Sequence, residues 1–331
     1  MNITEYVKKF SETPLTHLNI RQADILVLTV LSYIDFSMVS SGFEKCIKLS
    51  DAINQLFAFG IHEKYRNVEF LRNLRNSKRF SDLYLCGYRN EFDSLSNATQ
   101  FSVVTIRITE FLWFISYSGT DGTVVGWKED FQFSYLPQTP AQEKALQYLQ
   151  TASEKLKGNF IISGHSKGGN LAAYASILVE RTVQERINAV YCNDAPGFNP
   201  HINIFEQDGY QRIATKFSCI VPQDSIIGQL LQTFPQYDCW NVIYSNSPDM
   251  ILQHDIFSWE IDEEGNPCWL SKMNSSTRTV MKEINHAILS LSIRERKELT
   301  NFIFDCLEEK NIRHLKAIKY YLPLKYLMRF K

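Results

Sequence analysis

The chain has 331 residues, of which 44% are hydrophobic and 13% aromatic, and a formal net charge of −1 at pH 7. That is enough apolar material for a substantial core, and a charge so near zero gives no electrostatic reason to expect a nucleic-acid partner. Because single cores stop growing near roughly 250–300 residues, the length predicts one large α/β domain with helical additions.

Residues 1–78 read as an N-terminal helical extension. Ala23, Leu26, Leu28, Val30, Leu31 and Ile34 form a strongly apolar segment, and a helix over 51–59 follows a capping-type Ser50. No chemistry is evident in this region. Residues 1–14 carry Glu5, Lys8, Lys9 and Glu12 and hold no apolar stretch of the secretory type, so a secretory signal is not expected. The longest apolar run here, 25–31, falls far short of the roughly 18–20 residues of a membrane-spanning helix.

From residue 83 the pattern changes to short β-rich runs. Those at 101–108 and 111–115, separated by Thr109-Glu110, predict a hairpin. Thr139-Pro140-Ala141-Gln142 supplies an N-cap, a proline at the first helical position and a glutamine at the third. Ala145, Leu146, Leu149, Ala152 and Leu156 continue it at helical spacing. A strand at 159–163, a helix at 170–180 and further buried strands at 187–192 and 213–221 give the alternation of a mainly parallel sheet flanked by helices. This α/β core is placed at 79–274. Beyond it, 275–331 reads as a C-terminal helical region, with Val280, Ile284, Ala287, Ile288 and Leu291 on one helix face and a capping box at Ser292-Ile293-Arg294-Glu295 opening another helix. These helices would form a cap or lid. No repeat, low-complexity tract or Gly/Ser linker divides the chain, so 1–331 is expected to be a single domain. Seven cysteines are scattered without a C-x-x-C pair, which predicts reduced thiols, no zinc site and a cytoplasmic setting.

The most informative motif is Gly164-His165-Ser166-Lys167-Gly168-Gly169, placed between the predicted strand at 159–163 and the predicted helix. Strand, tight turn and helix are the context of a G-x-S-x-G nucleophile elbow, which makes the expected fold α/β-hydrolase-like. Gly164 and Gly168 let strand and helix approach where a Cβ would clash. A phosphate-binding loop would instead need a Gly-Lys pair followed by Ser or Thr, which is missing.

A serine nucleophile needs a base oriented by a carboxylate, and in this fold the order is Ser, Asp or Glu, His. His201, His254, His286 and His314 follow Ser166. His286 falls within a helix, His314 within a basic tail, and His201 comes too early to follow the acid. His254 therefore meets the order best. For the acid, Asp224 follows the predicted strand at 213–221, where catalytic loops gather, and ranks ahead of Asp194, which follows 187–192 beside Pro196 and Gly197. Each also suits a structural role, Asp224 as a helix N-cap and Asp194 as a turn former. One oxyanion donor is expected from the backbone N–H of Lys167 and another from the loop Tyr117-Ser118-Gly119-Thr120-Asp121-Gly122, where Thr120 offers both N–H and hydroxyl.

These residues resemble a family. Gly119-Thr120, Trp127 with Asp130, and Gly164 through Gly169 are similar to the Gly-Thr, Trp…Asp and Gly-His-Ser-x-Gly-Gly pattern of class 3, or fungal-type, lipases. Gly126-Trp127-Lys128-Glu129-Asp130-Phe131, the elbow through Leu171 and Leu252-Gln253-His254-Asp255 are closer still to a bacterial Mbeg-like group of α/β-hydrolases. The resemblance spans roughly residues 20–270. It implies Thr120 as oxyanion residue, Ser166 as nucleophile and His254 as base.

One departure is Lys167, where secreted class 3 lipases usually carry leucine. A cation at a helix N-terminus costs about 0.3–1 kcal/mol. The expectation is either attraction of an anionic substrate group or a side chain reaching into solvent. The C-terminus adds seven Lys or Arg between Lys310 and Lys331, interleaved with Tyr320, Tyr321, Leu322, Tyr326 and Phe330. Such an end can touch an anionic membrane surface, or pack its apolar face on the body with its lysines in water; Pro323 interrupts any continuous helix. The chain thus reads as an intracellular hydrolase of carboxylic esters, a small-molecule or lipid ester with Trp127, Phe131 and Leu252 favouring an acyl chain. It needs no metal or organic cofactor, and nothing sets its oligomeric state. A catalytically silent binding or regulatory module and an acyltransferase stand as alternatives.

Overall fold

The computed structural model describes residues 1–40, 42–60, 68–93, 98–234 and 240–313. The N-terminal part contains helices α1 (Ile3–Lys9) and α2 (Gln22–Val30), a two-residue strand β1 (Ile47–Lys48), and helices α3 (Leu49–Ala58) and α4 (Val68–Asn76). Strands β2 (Tyr84–Asp93), β3 (Thr99–Thr109) and β4 (Leu112–Tyr117) follow, then helices α5 (Val124–Gln132) and α6 (Pro140–Lys155). Next come β5 (Asn159–His165), α7 (Lys167–Leu178), α8 (Arg181–Gln184), β6 (Ile187–Asn193), α9 (Asp208–Ile213) and β7 (Phe217–Pro222). Strands β8 (Trp240–Ile243) and β9 (Trp269–Leu270) complete the sheet, and α10 (Ser275–Ser290) and α11 (Ile293–Glu309) end the described chain. The basic tail from 314 onward, with His314, lies outside the described residues.

The nine strands lie in one sheet in sequence order, β1 to β9. Neighbours from β4 through β8 run parallel, while β1 to β4 and the β8–β9 pair are antiparallel. The parallel centre is the α/β-hydrolase-like part of the fold and includes the strand that carries Ser166. Alternation of side chains across the strands divides the core in two. Val104, Ile106 and Phe114 face the cluster built with the N-terminal helices, whereas Val103, Trp113, Ile115 and Ile162 face the cluster that contains Ala145 and Leu149 of α6 and Leu171 and Ala172 of α7. Helices therefore cover both faces, and residues from the N-terminal segment bury in the same cluster as the sheet.

Several boundaries differ from the sequence reading. Helix α3 begins at Leu49, so Ser50 lies inside it and is not its cap. Residues 213–216 continue α9 into a short 3₁₀ turn, and β7 starts only at Phe217. The helix foreseen after Asp224 is reduced to a 3₁₀ turn over Ile227–Gln229. The capping boxes at Thr139/Gln142 and Ser292/Glu295 both form. Helix α11 packs Phe304 and Leu307 on Val124 and Trp127, and Phe304 meets Phe131 edge to face at 5.3 Å between ring centroids. Trp127 and Phe131 are thus engaged by the C-terminal helix, while Leu252 is 51% exposed.

A buried ion pair fastens the N-terminal layer. Asp24 on α2 accepts Arg79 Nε at 2.7 Å and Nη2 at 2.5 Å, and the Tyr6 hydroxyl at 2.9 Å. The remaining Arg79 hydrogen bonds go to the carbonyls of Thr13 and Asn19. Removing one partner leaves an uncompensated buried charge, so Asp24→Ala is expected to lower unfolding free energy by about 3–5 kcal/mol in urea titrations, whereas replacing both Asp24 and Arg79 with apolar residues should cost distinctly less.

Candidate active site

Strand β5 ends at His165, and Ser166 takes φ +58° and ψ −131° before α7 begins at Lys167. A non-glycine residue there is held in a costly backbone conformation that the surroundings must enforce. Ser166 N–H donates to the Asn193 carbonyl at 2.9 Å, tying the bend to the end of β6. Close packing fixes the rest: a Cβ on Gly164 would run into the carbonyl of Gly168, so the strand meets the helix only with glycine at this position.

His254 ends a 3₁₀ turn over Leu252–His254. Its ring lies against His165, with centroids 4.4 Å apart, and its Nδ1 meets Asp194 Oδ2 at 2.6 Å. Nδ1 therefore carries the proton it donates to the carboxylate, and Nε2 has no hydrogen-bond partner among the described residues. Asp194 is fully buried, with φ +42°. Its second oxygen accepts from the Ser225 hydroxyl and from Gly228 N–H at 3.1 Å.

The first-ranked acid is elsewhere. Asp224 accepts Thr277 Oγ1 at 2.6 Å, Asn274 Nδ2 at 2.8 Å and Gln253 Nε2 at 3.2 Å, and makes no bond to His254. Burial alone would push its carboxyl up, but these three donors outweigh it and hold the group below the usual carboxylate range. The pairing of His254 with Asp224 is thus corrected to Asp194. The reason is strand position: β6 lies beside β5, whereas β7, which leads to Asp224, is one strand further. Asp224 also accepts no proton from the base but grips Gln253, its N–H donating to Gln253 Oε1 at 3.0 Å, and so braces the turn that presents His254.

Two residues that the sequence reading passed over complete this wall. His165 Nε2 lies 2.7 Å from the His254 carbonyl, which can only accept, so Nε2 holds the proton and Nδ1 accepts the Tyr33 hydroxyl at 2.7 Å. Burial, and secondarily the neighbouring His254, keeps His165 well below the usual histidine range and hence neutral. Tyr33 also packs where a Cβ on Gly119 would stand; that same Cβ would lie 3.0 Å from Ser166 Cβ. The Gly119-Thr120 loop accordingly runs directly beside the bend. Tyr33 sits at the end of an apolar segment with no local signal of its role.

Thr120 donates its hydroxyl to Asp130 Oδ2 at 2.5 Å. Burial lifts the Asp130 carboxyl to about 7 despite the opposing pull of Lys167 and the Thr120 hydroxyl, and its Oδ1 is buried with no hydrogen-bond partner among the described residues. The Lys167 side chain departs from both expectations. It neither faces solvent nor a ligand space: it is fully buried, and Nζ donates to Glu129 Oε2 at 3.0 Å and to the Gln100 carbonyl and Oε1 at 2.7 Å each. His201 and His286 make no contact with these residues in the described structure, being placed in a 3₁₀ turn over Pro200–Ile202 and in α10. Among the described residues, no group of three or more His, Cys, Asp or Glu side chains is arranged to hold a metal ion, and no helix is long and apolar enough to cross a membrane.

Comparison with known proteins gives a family model described as Mbeg1-like that matches residues 74–305. Curated protein sequences gave no match. Solved structures similar to the chain include the M37 lipase (14% identity, TM-score 0.38, covering 62% of this chain and 68% of that one). The Rhizomucor miehei lipase in its propeptide complex shows 13% identity and a TM-score of 0.36 over 69% and 70% of the two chains. The lipase from Rhizopus microsporus var. chinensis shows 14% identity and a TM-score of 0.32 over 80% and 86%.

A carboxyl at about 7 is still protonated in the folded chain where the unfolded chain, at 3.8, has ionised. Its contribution to stability is therefore complete below the unfolded value and is lost as pH rises through about 7. Asp130→Asn removes that loss, so thermal melts should show the variant more stable than wild type by on the order of a few °C at about pH 8, with the advantage vanishing near pH 4.

Proposed function

The chain belongs to the Mbeg1-like family, and from that premise we propose that it is an intracellular serine hydrolase that cleaves carboxylic esters through an acyl-enzyme on Ser166. The observation that carries the proposal is the hydrogen bond between His254 Nδ1 and Asp194 at 2.6 Å, made by an imidazole stacked beside the strained elbow. It fixes the orientation of the imidazole beside His165 and leaves Nε2 without a hydrogen-bond partner among the described residues.

In this reading His254 Nε2 takes the Ser166 hydroxyl proton as Oγ attacks the acyl carbonyl, a contact that closes in the substrate complex as apo hydrogen bonds in such sites commonly do. Asp194 stabilises the imidazolium that forms. The Lys167 N–H and the Thr120 N–H hold the oxyanion, with the Thr120 hydroxyl kept in place by Asp130. His254 then protonates the departing alcohol, and water attacks the acyl-enzyme in the reverse sequence. The substrate class is an ester with an apolar acyl group, including acyl lipids, on the strength of the exposed Met250, Ile251 and Leu252 leading to the base. The intracellular setting rests on the dispersed cysteines, which form no C-x-x-C pair.

Turnover of p-nitrophenyl esters of short and long acyl chains tests this reading. Ser166→Ala and His254→Ala should abolish turnover, and Asp194→Asn should lower kcat by about 10³–10⁴ while Asp224→Asn costs no more than about tenfold. A folded wild type without turnover would instead favour a binding or regulatory module, and product transfer to an added alcohol would assign an acyltransferase.

A further inference from the structure

The buried pair of Lys167 and Glu129 is unused by the chemistry just described, and both side chains are fully enclosed. Its hydrogen bonds are complete. The Lys167 ammonium spends all three donors on Gln100 O, Gln100 Oε1 and Glu129 Oε2. Glu129 in turn accepts from Gln100 N at 3.1 Å and, through Oε1, from Ala141 N at 2.8 Å in the first turn of α6, where the helix terminus favours a negative charge.

Both expected oxyanion donors hang on this cluster. Lys167 supplies one through its own N–H, at the root of the buried side chain. Thr120 is tied in twice: Gln100, clasped by both charges, sends Nε2 to the Gly119 carbonyl at 3.4 Å, and Asp130, next to Glu129 on α5, accepts the Thr120 hydroxyl. A Cβ on Gly126 of α5 would lie 3.2 Å from Gln100 Oε1, so helix, strand and loop meet here without slack. Buried ion pairs are poor stabilisers, since apolar residues of equal volume often serve as well or better. Stability is therefore a weak reason for this pair to be here, whereas fixing the separation of two donors is a strong one, because their value to catalysis depends on geometry to within a fraction of an ångström.

Building on the proposed hydrolase reading, we propose that the Lys167–Glu129 ion pair, through Gln100, positions the two oxyanion donors, so that Lys167 and Glu129 side chains act as positioning residues and touch no substrate. The test is the double variant Lys167→Met/Glu129→Gln, which removes both charges together and keeps the volumes. It should stay folded at a lowered melting temperature, because Gln at 129 keeps only one of the two acceptor oxygens that the Gln100 and Ala141 N–H groups use. It should hydrolyse p-nitrophenyl butyrate with KM within about twofold but kcat lower by about ten- to a hundredfold, since the loss falls on the transition state. Gln100→Met, which leaves the ion pair in place and removes the bridge to Gly119, should lower kcat in the same way, and it decides the matter if the double variant does not fold. Unchanged kcat in the folded double variant, or in Gln100→Met where that is the one that folds, overturns the positioning role. Absence of Ser166-dependent turnover in wild type contradicts the hydrolase reading instead, so the two failures are distinct.

Discussion

The arrangement depends on a single strained bend. Ser166 has a positive φ between a buried strand and a helix that starts at the next residue, and its local hydrogen bond, from Gly169 N–H to its carbonyl at 3.0 Å, opens that helix without fixing the bend from the strand side. What holds it is the neighbouring chain. Asn193 accepts its N–H from the end of β6, Gly164 lets the helix backbone close on the strand, and Gly119 lets the loop after β4 pass against Ser166 Cβ. Three consecutive strands therefore bring their C-terminal ends to one point, which is where open parallel sheets gather their chemistry.

Around that point three acids, Asp194 and Glu129 fully enclosed and Asp130 part-buried, are treated in three ways. Asp194 has each oxygen engaged, one by His254 and the other by Ser225 and Gly228, and so is fitted to orient a base and share its positive charge. Glu129 is matched by an ammonium and two backbone donors. Asp130 has one oxygen on Thr120 and the other without a partner among the described residues, and burial lifts it to about 7. Asp130 is lifted because burial is opposed there by too few donors to offset it. His165 follows the same logic from the other side: buried and neutral, it bridges Tyr33 of the N-terminal layer to the His254 backbone, so that layer bears directly on the site.

Much of this was legible in the chain. The elbow announced itself through glycines on either side of Ser166 and an apolar run before it, and the Thr139 and Ser292 capping boxes marked two helix starts to the residue. Chain order narrowed the histidines to His254 but could not separate Asp194 from Asp224, because both lie between Ser166 and His254. Spatial adjacency of β6 to β5 separates them, and adjacency is a property of the sheet and not of the sequence. Lys167 was misjudged for a related reason: a cation at a helix N-terminus reads as exposed unless its partner is known, and Glu129 lies 38 positions away on another helix. Tyr33 was invisible because its role is a contact with His165, 132 residues distant.

The central claim is that the hydroxyl of residue 166 is an activated nucleophile served by the imidazole of residue 254. Incubation of the folded chain with a fluorophosphonate, followed by peptide mapping by mass spectrometry, addresses it without knowledge of the natural substrate. The account predicts one stoichiometric adduct on Ser166, formed far more slowly in His254→Ala. A folded protein that takes up no phosphonate, or one modified at another residue with Ser166 untouched, would contradict it.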